Sequence, residues 1–177
     1  MGEKTLIKNL KKKKEDAYIE LVNLYGNKLL KTLYLMIKDE KEAEDIVQET
    51  FIRVFKYIDG FKGDSSIYTW IYRIAQNIAK DRLSSRMATV HYEDMEIEPE
   101  YVEDILIGKI DREILREQLN NLKFIYKQVI VLFYFEELSI KEISEILDEK
   151  EGTVKSKLSR GRDLLRKALE KGGRFNG

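Results

Sequence analysis

Residues 138–162 read LSIKEISEILDEKEGTVKSKLSRGR, which is the pattern of two short amphipathic helices joined by a polar turn. Ser139 and Glu142 have capping-box spacing, in which each side chain accepts the backbone N–H of the other residue at the start of a helix. That helix is predicted to run to Leu147, and the polar residues 148–152 follow it. Two short helices with such a turn predict a helix-turn-helix.

The second helix of this pair separates apolar from polar residues. Val154, Leu158 and Leu165 fall at helical spacing and are expected to pack on the supporting helix. Lysine and arginine on the opposite face can neutralise phosphates or donate to guanine, and the helix N-terminus favours a nearby phosphate. A solvated amphipathic helix has the same pattern, but DNA binding is the favoured interpretation. The candidate DNA-binding residues are Thr153, Lys155, Ser156, Lys157 and Arg160.

The composition favours an all-helical protein. The 177 residues include a single proline, Pro99, and are rich in Leu, Ile, Lys and Glu. Cysteine is absent and His91 is the only histidine, which excludes disulfides and thiolate metal sites and disfavours most histidine-based catalysis. The first twenty residues contain no long apolar run. We therefore expect neither a signal peptide nor a membrane anchor, and the predicted location is the cytoplasm.

The net charge of the chain is zero, but the charges are unevenly distributed. Residues 1–86 hold 17 Lys or Arg and 13 Asp or Glu, a net charge of +4, whereas residues 87–121 hold 3 and 10, a net charge of −7. Residues 150–177 hold 9 and 3, a net charge of +6. This distribution predicts two basic modules, with domains at 1–86 and 110–177 joined by a flexible acidic linker at 87–109.

Two helices are predicted within the N-terminal module. Asp39 and Glu42 have capping-box spacing, with Asp in place of the usual Ser or Thr. Glycines and serines at 60–66 predict a loop, and a second helix is expected from Thr69 to about Leu83. One apolar face of the first helix is expected to be buried. It contains Ala43, Ile46, Val47, Phe51, Val54, Phe55 and Ile58.

Aromatic, basic and amide side chains are concentrated between Phe61 and Asn77. This mixture suits stacking on unpaired bases and contact with a nucleic-acid backbone. Trp70 taken alone is better explained as the core of a small helical domain, and both explanations stay open at this point. The side chains concerned are Lys62, Tyr68, Trp70, Tyr72, Arg73, Gln76 and Asn77.

Asp45, Gln48 and Glu49 lie on the polar face of the first helix. Carboxylates on successive turns can bind a hard cation, but the sequence offers no second cluster of ligands, so no metal site is predicted. A solvated or protein-binding face is the favoured interpretation. His91 has no candidate nucleophile near it and is expected at the surface.

Three blocks of the sequence resemble bacterial RNA polymerase sigma factors of the sigma-70 family, in its extracytoplasmic-function (ECF) type. Residues 39–51, DEKEAEDIVQETF, are similar to the polymerase-binding signature of the sigma-2 domain. Residues 61–83, which include FKGDSS and TWIYRIAQN, resemble the segment of that domain that melts promoters and reads the −10 element. Residues 138–162 are similar to the sigma-4 helix-turn-helix. The resemblance covers about four fifths of the chain, in the family's order.

The resemblance implies an all-α protein of two small helical domains, sigma-2-like and sigma-4-like. It implies an alternative sigma factor rather than an enzyme, with core RNA polymerase and promoter DNA as partners, an anti-sigma factor as a regulator, no cofactor and no direct insertion into a membrane. Asp45, Gln48 and Glu49 would bind the clamp helices of the largest polymerase subunit. The acidic linker would pass through basic channels of the polymerase.

The same resemblance implies two sets of DNA contacts. The helix-turn-helix candidates Thr153, Lys155, Ser156, Lys157 and Arg160 would read the −35 element. The loop from Lys62 to Ser66 would capture a flipped base, and the helix after it would hold the separated strand. The residues implied at the −10 element are Lys62, Asp64, Ser65, Ser66, Tyr68, Trp70, Tyr72, Arg73 and Asn77.

Two positions depart from the family pattern, and two other functions compete with it. Lys123 stands where many relatives have proline, and Asp148 stands where a turn glycine is common, so both affect helix starts and turns more than DNA contacts.

A stand-alone helix-turn-helix repressor or activator is the main alternative, and it would bind duplex operator tightly by itself. A metal-dependent nuclease built on Asp45 lacks a second ligand cluster.

Overall fold

The computed structural model describes residues 2–84 and 112–171. Every regular element in these residues is helical, which confirms the predicted all-α class. A 3-10 turn, Ile58–Gly60, follows the third helix, and a π-helical turn, Val131–Phe135, continues the sixth. The helices are α1 (Glu3–Lys11), α2 (Glu15–Ile37), α3 (Glu40–Tyr57), α4 (Ile67–Ser84), α5 (Arg112–Asn121), α6 (Phe124–Ile130), α7 (Ile140–Leu147) and α8 (Glu151–Lys171).

The helices form two compact units. The first contains α1–α4 together with residues 145–148, and the second contains α5, α6, α8 and the rest of α7. The predicted linker at 87–109 and His91 lie outside the described residues. Over the described residues, no helix is long and apolar enough to cross a membrane.

In the first unit, α3 packs between α2 and α4, and α1 packs on α2 and on the 3-10 turn. The core is mainly aliphatic, and Leu10 of α1, Leu33 of α2, Ile46 of α3 and Ile71 of α4 are all fully buried. Burial of a leucine or isoleucine side chain contributes about 1.5–3 kcal/mol. Each helix therefore contributes to one shared core, including α1, which the local sequence pattern did not predict.

The predicted helix starts are found where the caps were expected. The Asp39 carboxylate accepts the backbone N–H of Glu42 at 3.0 Å, at the start of α3. The Ser139 hydroxyl accepts the N–H of Glu142 at 3.3 Å, and the Glu142 carboxylate accepts the N–H of Ser139 at 2.9 Å. This reciprocal capping box begins α7, which ends at Leu147 as predicted.

The second unit is built on α8, against which α5 and α6 pack. Val154, Leu158 and Leu165 are buried, as the helical spacing predicted. Gly161 lies on the same face, and a Cβ at this position would stand 2.9 Å from Cδ1 of Ile130 on α6. A side chain at this position would therefore require the Ile130 side chain to shift.

The two departures from the family pattern fit the backbone conformations found here. Lys123, at the N-cap of α6, has φ −59°, which is within the range that proline imposes. Asp148 has φ +55°, the left-handed conformation that glycine favours and that Asp tolerates better than most residues. Both turns therefore have the expected geometry without the usual residue.

Candidate nucleic-acid and polymerase interfaces

The outward face of α3 carries one exposed stripe along the helix. Asp45, Gln48, Ile52 and Phe55 are spaced by three, four and three residues, so they share a face. All four are exposed, and Ile52 and Phe55 retain 66% and 51% of their accessible surface. We call these four residues the α3 stripe. Its acidic end and apolar end suit a protein partner better than DNA.

The placement of Phe55 corrects the prediction that this residue is buried. Its ring centroid lies 4.6 Å from that of Tyr18, and the Lys13 ammonium lies 5.3 Å from its centroid, so the ring rests on the surface of α2. The sequence pattern counted Phe55 as inward because it falls near the edge of the apolar face. Ile52 was missed because it lies among polar residues.

Glu49, the third predicted polymerase-binding residue, is half-buried and bound within the protein. Its carboxylate accepts hydrogen bonds from Arg82 Nη2 at 2.6 Å and from Arg53. Arg82 of α4 also donates to Glu42 at 3.0 Å, which ties α3 to α4. The hydrogen bond from Arg82, followed by that from Arg53, holds the pKa of Glu49 below its usual value.

The loop between the 3-10 turn and α4 is anchored at both ends and exposed between them. Phe61 is buried and packs against Trp70, with ring centroids 5.3 Å apart. Lys62 and Asp64 are exposed, and Gly63 has φ +83°, which favours glycine. The Ser66 hydroxyl accepts the N–H of Thr69 at 3.0 Å and so caps α4. Ser65 is half-buried.

The aromatic residues predicted to contact the −10 strand have different positions. Trp70 is half-exposed, whereas Tyr68 is buried between Tyr25 and Tyr72, with centroid distances of 5.2 and 5.4 Å. Tyr72 retains 0% of its accessible surface, so contact with a DNA strand does not fit its position. Its ring faces the core because Tyr72 shares a helix face with the buried Tyr68, Ala75 and Ala79, which lie four, three and seven residues away on α4.

The polar residues of α4 form a second exposed surface. Arg73, Asn77 and Lys80 are exposed and, together with the half-exposed Trp70, are spaced by three, four and three residues. We call these four residues the α4 stripe. Lys80 was missed by the sequence analysis, although its helical spacing from Asn77 and Arg73 would have identified it. Gln76 is buried in the core instead.

The predicted recognition residues lie near the N-terminal end of α8. Lys155 and Arg160 are exposed, and Thr153 and Ser156 are half-exposed. Lys157 is half-buried, and its ammonium donates to the Glu149 carboxylate at 2.5 Å, at the edge of the buried face. Lys155 and Arg160 are therefore the best-exposed cations of the predicted set.

A cation that was not predicted helps to hold α8 in place. The Arg162 guanidinium lies 5.3 and 5.4 Å from the ring centroids of Phe133 and Tyr134, in the π-helical turn. These cation–π contacts join α8 to the end of α6.

As regards metal chemistry, the part of the chain that is described contains no group of three or more side chains able to hold a metal ion.

Comparison with known families covers both units. The family model of sigma-70 region 2 matches residues 21–89, and that of sigma-70 region 4 matches residues 112–165. The chain is 36% identical to the ECF RNA polymerase sigma factor SigW of Bacillus subtilis, over 94% of this chain and 96% of SigW. It is 30% identical to the ECF RNA polymerase sigma-E factor of Escherichia coli, over 93% of each chain.

Solved structures show a similar fold. The structure of CnrH in complex with the cytosolic domain of CnrY has a TM-score of 0.71 and 21% identity, covering 96% of this chain and 97% of the other. The sigma factor RpoE in complex with the anti-sigma factor NepR, from Bartonella quintana, has a TM-score of 0.67 and 24% identity, covering 89% and 98%. The solved structures share the fold, and the family models and sequence relatives place the chain in the ECF group of the sigma-70 family of RNA polymerase sigma factors.

Proposed function

We propose that this chain, as an alternative sigma factor, binds core RNA polymerase through the α3 stripe and directs it to promoters through contacts from the α4 stripe and α8. The observation that carries the proposal is the α3 stripe. Its acidic and apolar side chains are exposed in a module of net positive charge, where DNA binding alone would not call for them. Family membership supports the same function.

The α3 stripe suits a helical partner such as the clamp helices of the polymerase. Ile52 and Phe55 offer apolar area to bury, and large exposed apolar side chains are typical of the centre of an interface. Asp45 and Gln48 add polar contacts on the next turns, and the carboxylate attracts a basic partner surface. Glu49 contributes differently, because its bonds to Arg53 and Arg82 fix the surface rather than leave its carboxylate for the partner.

The loop and the α4 stripe suit a separated DNA strand. Arg73 and Lys80 can contact phosphates, Asn77 can contact a base edge or backbone, and the half-exposed Trp70 offers a ring for stacking. Extruding a base costs a few kcal/mol, and stacking on an aromatic side chain returns about 1–3 kcal/mol per base. Lys62 and Asp64 are the exposed loop side chains proposed to line the site for a flipped base.

The N-terminal end of α8 suits the major groove at the −35 element. Arg160, Ser156 and Thr153 lie on one side of α8 and Lys155 on the adjoining exposed side, while the opposite face is buried. Arginine and lysine can donate to guanine or to phosphates from this position. Lys157 would have to break its ion pair with Glu149 before it could contact DNA. We therefore propose that Lys157 contributes less to DNA binding than Lys155 and Arg160.

This proposal assigns residues 1–86 to polymerase binding and the −10 element, residues 87–109 to the linker, and residues 110–177 to the −35 element.

An anti-sigma factor is proposed as regulator, because the similar RpoE was solved in complex with the anti-sigma factor NepR. The stand-alone repressor is not favoured, since the relatives are named as RNA polymerase sigma factors. A cytoplasmic location and the absence of enzymatic activity belong to the same proposal.

Run-off transcription tests the proposal. Purified core polymerase would transcribe promoter fragments of the host genome with and without this protein, and new discrete start sites are expected only with it. Substitution of Lys155 and Arg160 by alanine is expected to reduce these transcripts at least tenfold, which corresponds to one or two lost base or phosphate contacts. Lys167→Ala, an exposed cation farther along α8, serves as the matched control and is expected to have little effect.

Two results would contradict the proposal. One is the absence of new start sites together with tight binding of duplex DNA by the protein alone, which is the behaviour of a repressor. The other is unchanged transcription by the Lys155 and Arg160 variant, which would remove α8 from the −35 contact.

A further inference from the structure

Helix α1 makes side-chain contacts to the backbone on both sides of the loop at 62–66. It precedes the residues matched by the region 2 family model, which begin at residue 21. Leu6 and Leu10 on its inner face are fully buried. The helix is thereby fixed to the core, and its polar side chains can act on neighbouring segments.

At the C-terminal side of the loop, α1 contacts the first residue of α4. The Glu3 Oε1 accepts the backbone N–H of Ile67 at 2.9 Å, although the two residues are 64 positions apart. That N–H belongs to the first turn of α4 and has no partner within the helix. The negative carboxylate also lies at the positive end of the helix dipole, which strengthens the contact.

At the N-terminal side of the loop, α1 contacts the residue before it. The Lys11 ammonium donates to the backbone carbonyl of Phe61 at 2.7 Å. Next to this contact, Lys13 donates to the carbonyl of Phe55 at 2.8 Å and lies 3.3 Å from the Asp59 carboxylate. Three side chains from one short segment therefore hold the end of α3, the 3-10 turn and both ends of the loop.

We infer that α1 acts as a brace for the loop at 62–66, meaning a support that holds both ends of the loop in place. Glu3 and Lys11 are the positioning residues, and they set the distance between the two ends of the loop. The loop is only five residues long, has a glycine at positive φ, and exposes most of its side chains, so it makes few contacts of its own. Fixing its ends lowers the conformational entropy lost when a base is captured. The inference rests on the proposed function of the loop.

The only tryptophan of the chain allows the brace to be tested without DNA. Trp70 is half-exposed and its ring lies beside Phe61, whose carbonyl Lys11 holds. Acrylamide quenching of its fluorescence in the free protein is expected to increase in Lys11→Met and in Glu3→Ala. Lys11→Arg and Glu3→Gln keep a donor and an acceptor, so both are expected to restore the parent value.

The second measurement is strand binding by the holoenzyme. The probe is a fluorescent single-stranded oligonucleotide that carries the non-template −10 sequence of a promoter mapped by run-off transcription. Lys11→Met and Glu3→Ala are expected to weaken its binding by roughly three- to tenfold, as for one lost hydrogen bond to a charged or neutral partner. Core affinity is expected to be unchanged. Affinity tags belong at the C-terminus, away from Glu3.

Lys8→Met is the matched control, because Lys8 is exposed on α1 and its loss removes the same charge. An equal loss of strand binding in Lys8→Met and Lys11→Met would overturn the inference, since general charge would then explain the effect. Unchanged quenching and unchanged strand binding in Lys11→Met and Glu3→Ala would overturn it as well. Failure of the parent holoenzyme to bind the strand at all would instead remove the proposed function, and the inference with it.

Discussion

Glu49 shows how a single residue of a binding surface can be fixed by its neighbours. Its carboxylate lies between Arg53 on the same helix and Arg82 on α4, and Arg82 extends the network to Glu42. The network joins α3, which carries the α3 stripe, to α4, which carries the α4 stripe. The surfaces proposed to bind polymerase and the DNA strand are thus connected through charged groups as well as through the core.

The lowered pKa of Glu49 predicts an acid-dependent contribution to stability. The pKa of Glu49 is lower in the folded protein than in the unfolded chain. Its contribution to stability is therefore fully present at pH values above the unfolded-state pKa, and it is lost as the pH falls through the folded-state pKa. Arg82→Gln is expected to raise the pKa of Glu49 and to reduce the acid dependence of the unfolding temperature. Side-chain carboxyl NMR would follow the titration directly. Arg53→Gln should raise this pKa less than Arg82→Gln, and the reverse order would contradict the assignment.

At the scale of the helix, the sequence predicted those elements whose start or buried face is set by a few neighbouring residues. The Ser139 and Glu142 capping box predicted the start of α7, and the spacing of Val154, Leu158 and Leu165 predicted the inner face of α8. These features depend on residues within two or three turns of each other. The resemblance predicted the two family regions, which the family models match at residues 21–89 and 112–165.

The features that the sequence did not predict depend on distant residues. Helix α1 has only nine residues, and it is held by buried leucines and by partners 50 and 64 positions away, which no local pattern contains. The exposed Phe55 was misassigned because helical periodicity locates a face but not its edges. Tyr72 was assigned to a DNA contact from its residue type and from the resemblance, neither of which reports its burial. Which residues lie at an edge is set by the neighbouring helix, here α2 for Phe55.

The packing of α6 on α8 gives a prediction at this scale. Gly161→Ala would place a methyl group 2.9 Å from Ile130 Cδ1 and 3.4 Å from Tyr126 Cβ. Overpacking costs about 1–3 kcal/mol, and the better helix propensity of alanine offsets about 1 kcal/mol, so a net loss of about 1 kcal/mol is expected. Chemical denaturation and amide exchange in α6 and α8 would measure it.

A second substitution distinguishes a clash from a general effect of alanine. Ile130→Val removes Cδ1, so the double variant Gly161→Ala with Ile130→Val should lose less stability than the sum of the single variants. Strict additivity would show that the contact with Ile130 is not the cause.

At the scale of the whole molecule, the proposal assigns polymerase binding and promoter binding to different surfaces. The α3 stripe is acidic and apolar, whereas the segment 150–177 has a net charge of +6. Binding of the polymerase and binding of promoter DNA should therefore respond to different substitutions and to different amounts of salt. Counterion release makes the affinity of phosphate contacts fall strongly with salt concentration, whereas the burial of apolar side chains releases no counterions.

This separation predicts distinct phenotypes. Ile52→Asp is expected to weaken core binding by roughly 30-fold or more, as for the loss of an interface hot spot of about 2 kcal/mol. Lys155→Ala is expected to leave core binding unchanged and to reduce the salt dependence of promoter binding by about one counterion. Core affinity would be measured by fluorescence anisotropy, and promoter affinity by titration of the holoenzyme at several salt concentrations.

Leu24 supplies the control for the core-binding variant, because it is exposed on α2 to about the same extent as Phe55. Leu24→Asp adds the same charge at another exposed apolar position and is expected to leave core affinity unchanged. Equal effects of Leu24→Asp and Ile52→Asp would indicate that the introduced charge, rather than the α3 stripe, is responsible.

The brace formed by α1 also bears on how new promoter preferences arise. Glu3 and Lys11 bind a backbone N–H and a backbone carbonyl, which are present whatever side chains the loop carries, provided that position 67 is not proline. Substitutions at 62–65 can therefore accumulate without loss of the frame that holds them. A loop of the same length taken from a relative could be transplanted between Phe61 and Ser66, which would exchange the proposed −10 contacts of the loop between sigma factors by replacing a single segment.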